Sequence, residues 1–117
     1  QYTMAADRLS PQLAYLTDPW QPAVLRLIQH TCMVGRDNDV MVGVCGEAAA
    51  DPMLACVLTG LGVNSLSAAS TAVAGVGAQL ADLTLEQCQK MADAAINAEG
   101  PSDARTAVIA LLEEFQA

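Results

Sequence analysis

Hydrophobic and polar positions change period several times along the chain, and each change marks an element. From Pro22, the positions Val24, Leu25, Ile28, Thr31 and Cys32 fall on one helical face. Pro22 suits a first helical turn, where its missing N–H costs nothing, so a helix is expected to run from there to near Gly35. Val40-Met41-Val42-Gly43-Val44-Cys45 is a nearly continuous apolar run, which predicts a strand covered on both faces in a parallel sheet. Asp51-Pro52 supplies an N-cap and a first-turn proline for a helix through Leu54, Cys56, Val57 and Leu58, stopped by Gly60 and Gly62. Ser65 to Ala69 reads as a second strand and Thr71 to Leu83 as the helix after it. This makes two tandem βα units, the pattern of a parallel sheet.

Downstream, Thr84 and Gln87 form a capping box, and Leu85, Cys88, Met91, Ala92 and Ala95 share a face until Glu99-Gly100. A last helix carries the stripe Ala104, Ala107, Val108, Leu111, Leu112 and Phe115, which must pack against something. Residues 1 to 18 show no sustained periodicity. They read as a long loop with one helical turn near Ala5 to Leu9, and loops of this length tend to be functional.

With 117 residues, 53% of them hydrophobic, the chain can bury one core of ordinary single-domain size. Its net charge of −8 comes from thirteen acidic against five basic residues. Those five (Arg8, Arg26, Arg36, Lys90, Arg105) form no run able to track a phosphate backbone, so nucleic acid is excluded as a natural partner. A small anionic substrate needs only a local positive field, which makes a single placed arginine important. No apolar stretch approaches the roughly 18 residues of a membrane span and no signal-peptide order is present, so a cytoplasmic protein without membrane insertion is expected. The cysteines at 32, 45, 56 and 88 lack metal-type spacing and read as reduced thiols. The start at Gln1-Tyr2-Thr3, without a helix start or turn signal, reads as a chain from which upstream polypeptide is missing.

Gly43-Val44-Cys45-Gly46-Glu47 places a thiol at the carboxyl end of a parallel strand, where barrel active sites sit, between glycines that let a ligand approach the backbone. A cysteine, ordinarily titrating near 8.5, can give up and recover a proton near neutrality, so Cys45 is suited to act as an acid. By residue type alone core packing is the commoner reading of such a cysteine, and only the strand-end position and the neighbouring glycines argue against it. Glu47 is placed to orient that thiol, to cap the turn, or simply to face solvent. Arg8 offers a planar fork for a phosphate or carboxylate, or for a surface pair with a neighbour. His30 is expected on an exposed helical position without a second histidine to complete a metal pair. Cys32, Cys56 and Cys88 are expected as core thiols and Met41, Met53 and Met91 as core filling. Gly60-Leu61-Gly62 ends a helix rather than starting one, the wrong polarity for cradling phosphate.

Gln1-Tyr2-Thr3-Met4-Ala5-Ala6-Asp7-Arg8, Asp18-Pro19, Pro22 to Ile28 and Gly43 to Glu47, taken in this order, resemble the enzyme I family of the phosphoenolpyruvate:sugar phosphotransferase system. The resemblance covers roughly residues 1 to 70. It implies the C-terminal part of a (β/α)₈ TIM barrel that binds phosphoenolpyruvate, with residues 1–117 supplying its last βα units and C-terminal helices. It also implies transfer of a phosphoryl group to a histidine of the same enzyme, absent here, and on to the carrier HPr.

Carried over by motif, Arg8 would bind the substrate phosphate and Cys45 would protonate enolpyruvate to pyruvate, with Gly46 and Glu47 supporting from behind. Magnesium would be held by residues outside this chain, so no metal ligand is assigned within it, and a homodimer formed through the barrel domain is implied. The chain departs from the family at Leu9, Gln21 and Ala50, where glycine, histidine and glycine are usual, leaving Arg8 and Cys45 in place. Pyruvate phosphate dikinases and phosphoenolpyruvate synthases share the Cys-Gly pair and are the nearest enzymatic rivals; Ala6-Asp7-Arg8 and Asp18-Pro19 favour enzyme I. Outside enzymes, the amphipathic last helices are compatible with a self-association module in which Cys45 merely packs.

Overall fold

Helix starts in this chain are set by local chemistry, and the computed structural model, which describes residues 1–117, places most of them where that chemistry does. The helix α1 spans Pro22–Asp37 with its proline in the first turn. It runs past the expected stop at Gly35, which does not end the helix. There the backbone lies against the next segment so closely that a Cβ would come 2.7 Å from Val42 Cγ2. The helix α3, Pro52–Leu61, is capped by Asp51, whose Oδ1 accepts the N–H groups of Met53 at 3.0 Å and Leu54 at 3.2 Å. In the helix α5, Leu85–Ile96, the Thr84/Gln87 capping box is formed in both directions. The helices α4 (Ser70–Ala81) and α6 (Pro101–Gln116) complete the set, together with a short α2 at Glu47–Ala50 that no periodicity announces.

The strands β1, Gly43–Cys45, and β2, Ser65–Ser67, pair in parallel with Val44 opposite Leu66 and Cys45 opposite Ser67. The chain is therefore a mixed α/β unit of two parallel strands and mostly helices, in the order β1-α2-α3-β2-α4 followed by α5 and α6. The long strand expected from Val40 is shorter, because a ladder reaches only as far as its partner. At its start, Asn64 Oδ1 takes the Val42 N–H at 2.9 Å in place of a further strand residue. Nor is the strand covered on both faces. Val44 and Leu66 pack toward the helices, while Gly43, Cys45, Ser65 and Ser67 lie on the open face. Met41, expected as core filling, is 74% exposed for the same reason.

The core sits on α3. Leu54, Ala55, Cys56, Val57 and Leu58 are completely buried, so this helix is enclosed on all sides. It packs against α1, α4 and α5, and α5 in turn carries α6 through Met91, Ala95, Ala104 and Val108. Gly60, expected as a helix stop, lies inside α3 at its closest approach to α5, where a Cβ would overlap the backbone carbonyl of Cys88. The stop is Gly62, left-handed at φ 103°. Residues 1–18 also differ from expectation. One turn falls at Tyr2–Ala5 and a second at Arg8–Leu9, inside the expected Ala5–Leu9, where the Ser10 N–H donates to Asp7 O at 3.1 Å; beyond them a 3₁₀ helix forms over Pro11–Thr17, begun by its proline. No helix is long and apolar enough to cross a membrane.

Cys32, Cys56 and Cys88 are buried and free, as their helical faces imply. Burial, reinforced by the neighbouring Cys88, pushes the Cys56 thiol up to about 12, and burial raises Cys32 and Cys88 as well. In the unfolded chain these thiols ionise at their ordinary value, while in the folded chain they stay protonated. Stability is thus expected to be full below about pH 9 and to fall steadily as pH rises toward 12, a trend that urea unfolding across that range would read. Gly60→Ala is expected to lower stability by about 1–3 kcal/mol in the same assay, since the α3–α5 spacing has no room for a methyl group.

Candidate functional site

At the carboxyl end of β1 the backbone turns sharply. Gly46 has φ 79° and ψ −155°, a region that essentially only glycine occupies, and its N–H donates to Ser67 O at 3.1 Å on the neighbouring strand. That turn ends the strand at Cys45 and starts α2 at Glu47. Cys45 is exposed, in contrast to the three sealed thiols.

The second side of the site comes from the N-terminal loop. Ala5 adopts a left-handed φ of 51°, Ala6 is buried, and the Asp7 carboxylate accepts the Leu9 N–H at 3.0 Å, which together fold the chain back around Arg8. The Arg8 side chain is in no ion pair of the structure and is exposed. Gln1, Arg8 and Thr17 from this loop face Gly46 and Glu47 across an open polar cleft of about 540 Å³ with no hydrophobic lining residue. Arg8, Gly46 and Glu47, far apart in sequence and assigned to one site by the resemblance, line the same cleft. Cys45 is not among the lining residues; it precedes them by one position, on the open face of the strand. His30 is exposed on α1 and does not line the cleft.

Sequence reasoning missed what holds the two sides together. Trp20 is fully buried, and its Nε1–H donates to Asp51 Oδ2 at 3.0 Å, using the second oxygen of the carboxylate that caps α3. Its backbone N–H donates to Asp18 Oδ1 at 2.9 Å. Arg105 of α6 grips Asp18 with both guanidinium nitrogens, at 2.6 and 2.8 Å, and lies over the Trp20 ring at 5.4 Å. The available signal was Trp20 itself, since a buried indole N–H must find an acceptor.

Chemically, the cleft offers one guanidinium, one carboxylate, neutral polar groups and an adjacent open thiol, a set suited to a small anion that exchanges a proton. No three His, Cys, Asp or Glu side chains converge anywhere in the structure, and Glu47 is the only carboxylate lining the cleft. A separate crevice of about 330 Å³ beneath α4, lined by residues such as Val63, Leu66, Val76 and Leu80, contains no titratable side chain.

Residues 1–85 match the family described as PEP-utilising enzyme, PEP-binding domain. Over 112 residues the chain is 51% identical to a phosphoenolpyruvate-protein phosphotransferase of Streptomyces coelicolor, covering 96% of this chain and 20% of that protein. A phosphoenolpyruvate-protein phosphotransferase of Geobacillus stearothermophilus is 38% identical over 97 residues, 83% of this chain and 17% of its own length. A multiphosphoryl transfer protein of Xanthomonas campestris is 41% identical over 105 residues, 90% of this chain and 12% of its own. The chain thus spans a fifth or less of these relatives.

Because a Cβ at position 46 would meet nothing within 4 Å, the need for glycine there is purely conformational. Gly46→Ala is expected to cost about 1–3 kcal/mol in thermal unfolding, and a D-alanine introduced by chemical ligation at the same position, free to adopt positive φ, to restore stability.

Proposed function

The chain belongs to the PEP-utilising enzymes, matching their PEP-binding domain, and on that premise we propose that it forms part of a phosphotransferase whose phosphoryl donor is phosphoenolpyruvate. In this reading the chain is the C-terminal part of a (β/α)₈ barrel, the group passes to a histidine of the same enzyme and on to the carrier HPr, and the enzyme is a cytoplasmic homodimer. The observation that carries it is the meeting of Arg8 with Gly46 and Glu47 in one polar cleft beside the strand-end thiol, inside the family-matched residues.

Phosphoryl transfer breaks the bond between phosphorus and the enol oxygen, and the electron pair stays on that oxygen as an enolate. Arg8 offsets charge on the phosphoryl oxygens as the bond loosens. The methylene carbon of the enolate then takes the proton of Cys45, giving pyruvate and leaving a thiolate that recovers a proton from water. Cys45 is exposed, so substrate and water both reach it. Gly46 sets the direction in which the strand end leaves the sheet, and Glu47 supports the thiol from the adjoining turn. Magnesium enters this reading only as an ion held by residues outside these 117, and no step here depends on it.

The test is done on the protein at the full length of its relatives, with magnesium present. Cys45→Ala is expected to reduce pyruvate formation by about 10²-fold or more, Arg8→Lys to lower kcat/KM for phosphoenolpyruvate by about 10²-fold, and phosphoenolpyruvate to slow alkylation of Cys45. Unchanged turnover and equal alkylation rates would overturn the reading in favour of a self-association module.

A further inference from the structure

The cleft is built from two stretches of chain that share no strand or helix, so something must fix their separation. Gln1, Arg8 and Thr17 stand on the loop that ends at Asp18; Gly46 and Glu47 stand on the turn that ends at Asp51. These two aspartates are bridged by Trp20. Its backbone N–H is bonded to Asp18 and its indole N–H to Asp51, at 2.9 and 3.0 Å. Arg105 then closes the arrangement from outside, with a bidentate bond to Asp18 and its guanidinium over the Trp20 ring. The Arg105–Asp18 pair is 40% and 21% exposed at its two side chains, so it is partly shielded from water and its geometry is fixed by the fork.

We propose that Asp18, Trp20, Asp51 and Arg105 are positioning residues that hold the Arg8 loop at its working distance from the Cys45 turn. This rests on the function proposed above. Arg105 lies beyond the family-matched residues 1–85, so the last helix acts on the cleft as well as closing the core. The ring of Trp20, completely buried, makes the bridge stiff: moving Asp18 outward would require dragging an indole out of the core. An arginine moved off its working distance grips the substrate phosphate less well, so loss of the clamp should register in substrate affinity before it registers in folding.

The experiment uses the protein at the full length of its relatives and compares Asp18→Asn, Arg105→Met, their double variant, Arg105→Lys and Cys45→Ala. Arg105→Met keeps an unbranched stem against Trp20 and removes the fork. Each single clamp variant is expected to raise KM for phosphoenolpyruvate about 10-fold with kcat changed less than about 3-fold, the double to be no worse than either single, and Arg105→Lys to fall between. Thermal unfolding is followed on the same samples. A lowered melting temperature with unchanged KM, or additive KM effects in the double variant, would overturn the proposal and leave the network purely structural. If Arg105→Met fails to fold, Asp18→Asn and Arg105→Lys still decide the matter by the same KM reading. Should Cys45→Ala retain full pyruvate formation, the functional premise fails instead, a result the clamp variants do not mimic.

Discussion

One carboxylate joins three parts of this molecule. Asp51 ends α2, starts α3 by accepting two backbone N–H groups on one oxygen, and accepts the Trp20 indole on the other. Helix α3 is the most enclosed element of the fold from Leu54 to Leu58, and the free N–H groups of Met53 and Leu54 at its start are satisfied by Asp51. The residue that does so is also the anchor for the loop before α1. The start of α3 and the loop before α1 therefore share a fixed point.

Around that point the sheet is small and one-sided. Two short parallel strands present Val44 and Leu66 to the helices and Gly43, Cys45, Ser65 and Ser67 to the other side. The polar face is the one on which the thiol emerges, and both strands deliver their carboxyl ends to the same rim. This is the arrangement in which parallel βα units place their chemistry, and it gives the family membership a geometric counterpart. Alanine and glycine at helix contacts allow the elements behind the sheet to approach closely. Gly60 against Cys88 brings α3 and α5 together, and Ala95 and Ala104 do the same for α5 and α6.

What could be read from the sequence was what is local. The Thr84/Gln87 box and the Asp51-Pro52 start need only neighbouring residues, and both are found as expected. Strand extent was misjudged because it is set by the partner strand, which ends after three residues. Gly60 reads as a breaker until the carbonyl of Cys88 is seen lying against it. The four-residue α2 is too short for any period to show. In the cleft, the family motifs pointed to Arg8, Gly46 and Glu47, but their meeting is tertiary. The Arg105–Asp18 pair, 87 residues apart in the chain, carries no sequence pattern at all.

The unequal burial of the thiols has a consequence for how the protein ages. Three sulfurs lie under close-packed side chains, and one stands open at the strand end. Oxidants act first on sulfur they can reach, so sulfenic or sulfinic acid would accumulate at Cys45 while the interior stayed chemically intact. Such a molecule would keep its core unaltered and carry its chemical change at the rim alone.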